Sequence, residues 1–317
     1  MASIEDLDRL AGFLLSARSA VPAGEAVERL GGWSAGRLSE AVSELQRLGA
    51  DVAETPQGLS LPCADPLDPG AVAAAATRIP AAGVEVRRVC ASTNDFVRAG
   101  DGLRACAAEV QTAGRGRRGR SWLQPFATGL ALSLGAPADP ERPEGLAIAL
   151  AVAVADALAS AGYTGVGLKW PNDLQVGDQK VGGLLVEATG HPRPRIVVGL
   201  GLNVYAAPAI PGREAAALEA CGPGPSRSRL AGLLADALAA ALESYERYGL
   251  AAFAARYADL DVLVGRRIRW SDAGQRLEGV ARGIAEDGAL IVESAGGPRR
   301  CLAGDVAAVR PVAGGGQ

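Results

Sequence analysis

Apolar positions recur at three- and four-residue intervals at the start of the chain. Leu7, Leu10, Leu14 and Leu15 share one helical face. Gly24 to Leu30 reads as a second short helix. Gly31-Gly32-Trp33 marks a turn, and Ser34 stands where an N-cap belongs. The third helix that follows has Leu38, Val42, Leu45 and Leu48 on its apolar face, and Gly49 ends it. The runs Asp51–Thr55 and Leu59–Leu61 flank the turn signal Pro56-Gln57-Gly58. Three helices and a two-stranded wing are the order of a winged helix-turn-helix, expected over residues 1–64.

Cys63 to Gly70, rich in Asp and Pro, reads as a linker into a short Ala-rich helix. The period then alternates between two and 3.6. Strands are expected over Val84–Val89, Ala105–Val110, Gly129–Leu134, Val166–Lys169, Val181–Ala188 and Ile196–Val204. Helices are expected over Thr93–Ala99, Gly145–Ser160, Ser228–Tyr245 and Ala251–Tyr257. Helices do not separate the strands regularly, so residues 65–260 read as one α+β domain on a mixed sheet. Residues 261–312 carry only short strands: Arg267–Trp270, Leu277–Ile284, Ala289–Val292, Arg300–Leu302 and Val306–Arg310. Asp287-Gly288 and Ala295-Gly296-Gly297-Pro298 read as turns between them, and a small β barrel is expected.

Composition narrows the function. With 317 residues, 49% hydrophobic and 21% charged, the chain reads as a globular protein of two or three domains. No apolar run reaches the ~20 residues that span a bilayer. Glu5, Asp6 and Asp8 are unlike the basic start of a secretory signal. Five cysteines without CxxC spacing argue against a disulfide framework or zinc cluster, and for the reducing cytoplasm. His191, the single histidine, lies in the loop-like run Gly190-His191-Pro192-Arg193-Pro194, which argues against a Ser-His-Asp hydrolase or a His-rich metal site. A net charge of −3 provides no general attraction for nucleic acid. Of the 32 basic residues only Lys169 and Lys180 are lysines, and they stand close together. A compact ammonium does what a guanidinium cannot, so their clustering points to one site.

Four segments carry candidate chemistry. Gly114-Arg115-Gly116-Arg117-Arg118-Gly119-Arg120-Ser121-Trp122 spells G-x-G-x-x-G, yet Pro125 and a strand follow it, not the helix of a dinucleotide fold. It reads instead as an anion-binding loop. Its amides and guanidiniums suit phosphate, and its like charges are expected to order only on ligand binding. Lys169-Trp170-Pro171-Asn172-Asp173 leads through a proline turn to Lys180-Val181-Gly182-Gly183, where missing side chains allow close approach. One lysine beside a carboxylate and an α-phosphate would stabilise a phosphoryl transition state, and Asp173 could hold Mg²⁺. Ser92-Thr93-Asn94 reads locally as a helix cap, although with Gln111 it could also fork onto a small polar ring. Gly199-Leu200-Gly201-Leu202-Asn203 suggests either tight strand packing or a ligand passing close.

Taken in order, these segments resemble the biotin protein ligase family in its bifunctional form. The resemblance is strong over roughly residues 84–205 and one of layout at both ends. It implies a class II synthetase-like catalytic domain, an SH3-like C-terminal barrel, and ATP, biotin and Mg²⁺ as cofactors. Biotin would be activated to biotinyl-adenylate and passed to a lysine of a biotin carboxyl carrier protein, a subunit of acetyl-CoA carboxylase. By family likeness Ser92, Thr93, Asn94 and Gln111 hold the ureido ring. Arg115, Gly116 and Arg117 close over the adenylate, and Lys180 bridges carboxylate and phosphate. Arg118, Arg120, Trp122, Asn172, Asn203 and, in the barrel, Arg310 lie on the nucleotide side. A homodimer and operator DNA are further implied partners.

The first domain departs from the family's repressors. Residues 1–62 hold five arginines against nine carboxylates, and Glu40 and Glu44 sit on the helix that should meet DNA. Phosphate contact requires the opposite sign, so DNA binding would rest on Arg37 and Arg47. A lipoate–protein ligase would need a longer apolar slot without ring-reading polar groups. A non-catalytic ligand-sensing regulator would need a basic recognition helix.

Overall fold

Ser3 accepts a hydrogen bond from the Asp6 amide while Asp6 accepts from the Ser3 amide, a capping box that starts α1 (Ile4–Ser16). The computed structural model describes residues 2–17, 19–137, 144–189, 194–210, 214–272, 275–302, 304 and 306–308. α2 (Ala23–Arg29) follows. Ser34 caps α3 (Ala35–Arg47) by accepting from the Arg37 amide, as the sequence indicates. β1 (Ala53–Thr55) and β2 (Gly58–Ser60) form an antiparallel hairpin, which Val21 extends by bridging Leu59. Leu10, Leu14, Leu38, Val42 and Leu45 bury one face of α1 and one of α3 together.

That apolar cluster continues into Val89, Val110 and Phe126, so the N-terminal unit is packed against the rest of the chain. Asp8 Oδ1 accepts from the backbone amides of Arg88 (2.6 Å) and Val89 (2.9 Å). The Phe126 amide donates to the Leu48 carbonyl at the end of α3, 3.0 Å away.

After α4 (Pro69–Ala75), capped by Asp68, comes the central sheet. Its strands are β3 (Val84–Cys90), β4 (Arg104–Gln111), β5 (Gly129–Pro137), β6 (Val166–Lys169), β7 (Asp173–Val176), β8 (Gln179–Thr189) and β9 (Arg195–Asn203). They lie in the order β3-β4-β5-β9-β8-β7-β6, with β3 and β4 parallel and the other neighbouring pairs antiparallel. The expected mixed sheet is thus present. β7 is a correction: Asp173 opens a strand paired with both Lys169 and Gly183, where a turn alone was expected. Leu174 and Val176 are too short an alternation to stand out in sequence.

Alternation along β5 and β9 divides the sheet into two unlike faces. Leu130, Leu132, Leu134, Leu200 and Leu202 pack under α6 (Leu146–Ser160) and α7 (Arg227–Tyr248). α6 has no polar residue before Asp156, as a helix buried all round requires. The opposite face bears Ala131, Ser133, Gly199 and Gly201, and α5 (Thr93–Arg98) lies there. α8 (Ala251–Leu260) follows α7, and the Val262 amide donates to Leu168 along the outer edge of β6.

The C-terminal strands β10 (Arg267–Asp272), β11 (Gln275–Ile284), β12 (Leu290–Ser294), β13 (Gly297–Cys301) and β14 (Val306–Ala308) form an antiparallel sheet in the order β13-β12-β11-β10-β14. Gly297 and Pro298, read above as a turn, begin β13. Ile268, Trp270, Leu290 and Val292 belong to the same apolar cluster as the central core. Trp170 Nε1 donates to the Gly288 carbonyl at 2.9 Å, joining the two sheets. No helix among the described residues is long and apolar enough to cross a membrane.

Among the described residues one ion pair lies wholly inside: Arg227 Nη1 stands 2.8 Å from Glu109 Oε2, both side chains 0% exposed. Arg227 also donates to the carbonyls of Gly129 and Asp65, and Glu109 Oε1 accepts from the Leu67 amide at 2.6 Å. Arg227→Met removes the nearer cation from the buried Glu109 carboxylate, leaving it Arg88 Nη1 at 3.4 Å and the Leu67 amide. The variant is expected to lose about 3–5 kcal/mol of unfolding free energy, read from its denaturant midpoint.

Candidate active site

The small side chains of the open sheet face leave a cavity of about 270 Å³. It is roofed by the Gly-Arg segment and bordered by Gly304 and Val306 of the C-terminal sheet. Thirteen of the expected residues line it: Ser92, Thr93, Asn94, Gln111, Arg115, Gly116, Arg117, Arg120, Trp122, Asn172, Asp173, Lys180 and Asn203.

Lys180 reaches the cavity because of a register shift. Gln175 pairs with Lys180 but Leu174 pairs with Gly182, so Val181 is an extra residue in β8. Val181 and Gly182 face the core, where a Cβ on Gly182 would strike Leu202 and Leu174. Strict alternation would place Lys180 with Gly182. The bulge turns it instead to the side of Gly183. There Lys180 Nζ lies 2.5 Å from Asp173 Oδ1 and 5.9 Å from the centroid of the Trp122 ring. Trp122 lies against Gly201, since a Cβ there would come within 2.3 Å of its Cε2.

A buried polar chain forms the floor. Thr93 N–H donates to Gln111 Oε1 (2.8 Å), and Thr93 Oγ1 lies 2.6 Å from Ser133 Oγ. Ser133 Oγ donates to Asn94 Oδ1 (2.6 Å), and Asn94 Nδ2 donates to Glu187 Oε2 (2.7 Å). Ser92 occupies the cap position of α5 but makes no capping hydrogen bond, so the local cap reading is corrected. Its side chain borders the cavity instead. Burial pushes the nearby Cys90 thiol up to about 12, which removes it as a nucleophile.

The Gly-Arg segment is closed by hydrogen bonds of its own backbone. Arg115 bridges Ser121 through the backbone, Gly116 N–H donates to Arg120 O (2.7 Å), and Trp122 N–H donates to Gly114 O (2.9 Å). Partners offset the like charges: Arg115 Nη2 meets Asp95 Oδ1 at 2.6 Å, and Arg117 Nη1 donates to Asn172 Oδ1 at 3.0 Å. Arg118, expected on the nucleotide side, takes a left-handed φ of 57° at the apex of the turn, where it is exposed and outside the cavity lining.

Arg310 and His191 lie outside the described residues. Arg37 and Arg47 lie on α3, apart from the cavity, and both are held in ion pairs. Arg37 forks onto Asp6, whose carboxyl it lowers below its ordinary value, and stacks over Trp33. Arg47 pairs with Glu44. No group of three or more His, Cys, Asp or Glu among the described residues could hold a metal ion. Asp173, expected at a metal, stands as counter-ion to Lys180.

Sequence reasoning missed Ser133 and the role of Glu214, whose carbonyl accepts from the Lys180 amide at 3.0 Å. Ser133 had a signal: it stands between leucines in β5, at a small-residue position of the open face.

Two family models match the chain. Residues 86–203 match the biotin/lipoate A/B protein ligase family, and residues 263–308 match the biotin protein ligase C terminal domain. The chain is 33% identical over 297 residues to the bifunctional ligase/repressor BirA of Escherichia coli (strain K12), covering 88% of this chain and 91% of that one. It is 35% identical over 211 residues to the biotin--[acetyl-CoA-carboxylase] ligase of Mycobacterium tuberculosis, covering 64% and 78%. The biotin protein ligase from Aquifex aeolicus, solved with biotin and ATP, shares the fold with a TM-score of 0.64 at 24% identity. That match covers 72% of this chain and 99% of that one.

Gly201→Ala places a methyl group where the Trp122 ring now lies. The Arg115–Arg120 segment is then expected to be cut several-fold faster by trypsin, with an unchanged unfolding midpoint. Equal cleavage rates would mean that Trp122 does not hold the loop down.

Proposed function

The chain belongs to the biotin protein ligase family, and on that premise we propose how its own residues ligate biotin. The observation that carries the reading is the meeting of Lys180, Arg117 and the Thr93–Asn94–Gln111 floor in one cavity.

The bicyclic ring of biotin rests on Ser92, Thr93, Asn94 and Gln111, with its valeryl chain running towards Lys180. ATP lies under Arg115, Gly116 and Arg117, with Arg120, Trp122, Asn172 and Asn203 on the nucleotide side. A carboxylate oxygen of biotin forms a bond to the α-phosphorus as the bond to the bridging β-oxygen breaks, and pyrophosphate leaves with that electron pair. Two anions must approach, and Lys180 and Arg117 lower that barrier by fixed positive charge. Asp173 holds one N–H of Lys180, leaving the ammonium two further donors. A neutral lysine amine of a carrier domain then attacks the anhydride carbonyl and AMP departs. The Gly-Arg segment keeps water from the adenylate meanwhile. Magnesium would enter with the nucleotide phosphates, and Asp173 is a cavity carboxylate that would hold it there; no step runs through it.

The proposed domains are 1–64, a winged helix-turn-helix; 65–260, the class II synthetase-like catalytic unit; and 261–312, an SH3-like barrel. Helix order and the hairpin support the first. The acceptor is a biotin carboxyl carrier protein, and five free cysteines suit a cytoplasmic setting. A lipoate ligase is disfavoured by the polar floor, and a non-catalytic regulator by Lys180 and Arg117. Repression and a homodimer remain secondary readings, because phosphate would have to displace Asp6 from Arg37 and Glu44 from Arg47.

The test is pyrophosphate release from ATP with biotin, with lipoate and with neither. Release with biotin alone supports the reading; release with lipoate or with no acid overturns it. Lys180→Ala is expected to slow release by about 10²–10³-fold. Arg117→Gly is expected to release adenylate into solution faster, read as biotinyl-adenylate in the filtrate.

A further inference from the structure

Glu187 stands on β8 beyond Lys180 and does not border the cavity. Its Oε2 accepts from Asn94 Nδ2 at 2.7 Å and from Arg98 Nη2 at 3.0 Å. We propose that Glu187 is a positioning residue: it sets the direction of every proton in the Asn94–Ser133–Thr93 chain, and so creates an acceptor site for a ligand N–H. The proposal rests on the biotin reading above and extends it to the choice of acid.

The order follows from donor inventory. A carboxylate only accepts, so the Asn94 amide must turn its NH₂ towards Glu187. Its Oδ1 then faces Ser133 Oγ, 2.6 Å away, and takes the single hydroxyl proton of Ser133. Ser133 can therefore only accept from Thr93 Oγ1, at 2.6 Å, which spends the Thr93 proton. From the other end, the Thr93 amide at 2.8 Å requires that Gln111 present Oε1. Thr93 Oγ1 also stands within donating distance of Gln111 Oε1, at 3.1 Å, but its one proton is committed to the shorter contact with Ser133, so in this order the two oxygens face each other without a hydrogen between them. A donor shared by both relieves that repulsion, and a cyclic urea N–H is such a donor. A dithiolane ring has none, and would leave the two oxygens facing each other without the shared donor, a mismatch of the kind from which polar sites draw their strongest discrimination.

Glu187→Gln keeps the shape but can turn its own NH₂ towards Asn94. The chain then reverses: Asn94 donates to Ser133, Ser133 to Thr93, and Thr93 to Gln111, which fills the gap with the protein's own proton. The KM for biotin in pyrophosphate release is expected to rise about tenfold or more, with kcat, the KM for ATP and the unfolding midpoint nearly unchanged. Arg98→Met removes the other partner of the carboxylate but leaves it an acceptor, so its KM for biotin is expected to stay at the wild-type value. An unchanged KM in Glu187→Gln would overturn the proposal. So would an equal rise in Arg98→Met, since the ion pair would then be the cause. If Glu187→Gln does not fold, Ser133→Ala, which cuts the chain midway, carries the same expectation and the same refutation. Wild-type protein is assayed first. No release with biotin overturns the ligase reading, whereas wild-type release with an unaltered variant overturns the role of Glu187 alone.

Discussion

Everything around the cavity depends on two opposite charges enclosed together. Glu109 and Arg227 are fully buried, and each is the nearest opposite charge of the other, with Arg88 and Asp65 standing further off. Glu109 lies two residues before Gln111 on β4. Arg227 opens α7, the helix that covers the leucine face of the sheet. Their remaining hydrogen bonds reach Asp65, Leu67, Arg88 and Gly129, and the Glu109 carbonyl accepts from Gln124 beyond the Gly-Arg segment. One pair thus holds the linker, the covering helix, β5 and the stem of the loop in register. Apolar packing alone would permit these pieces to slide; a buried charge pair with directed hydrogen bonds does not.

A second constraint acts on one residue. Sheets assign side chains to faces by parity, and parity would place Lys180 among leucines. The extra residue Val181 breaks it, at the cost of one ladder pair. The ammonium is thereby aimed at a surface made of glycines, where Trp122 lies flat and a ligand can approach the backbone.

Much of this was legible in the chain. Period changes located most helices and strands, and Ser34 marked its helix start. The lysine-poor composition, with Lys169 and Lys180 together, pointed to the site before any motif was read. The rest was hidden for physical reasons. β7 is too short for alternation to register, and a bulge leaves no mark in sequence. Ser92 fits the cap statistics but forms no cap, because its residue type suits both uses. The partners of Arg37, Arg47 and Arg115 are all carboxylates brought near by folding or by helical spacing. A run of arginines looks unpaired until its acids are found.

The contacts at either flank of the central sheet have a consequence of their own. Strands at the margin of a sheet present backbone groups that a second chain can extend, the usual start of ordered aggregation. Here Asp8 of α1 occupies two amides on β3, while the segment around Val262 runs beside β6 and bonds to Leu168. The guards come from opposite ends of the polypeptide. During synthesis the guard at β3 exists before the strand it covers, and the guard at β6 only well after. Until that later segment emerges, the nascent sheet has one margin open to its neighbours.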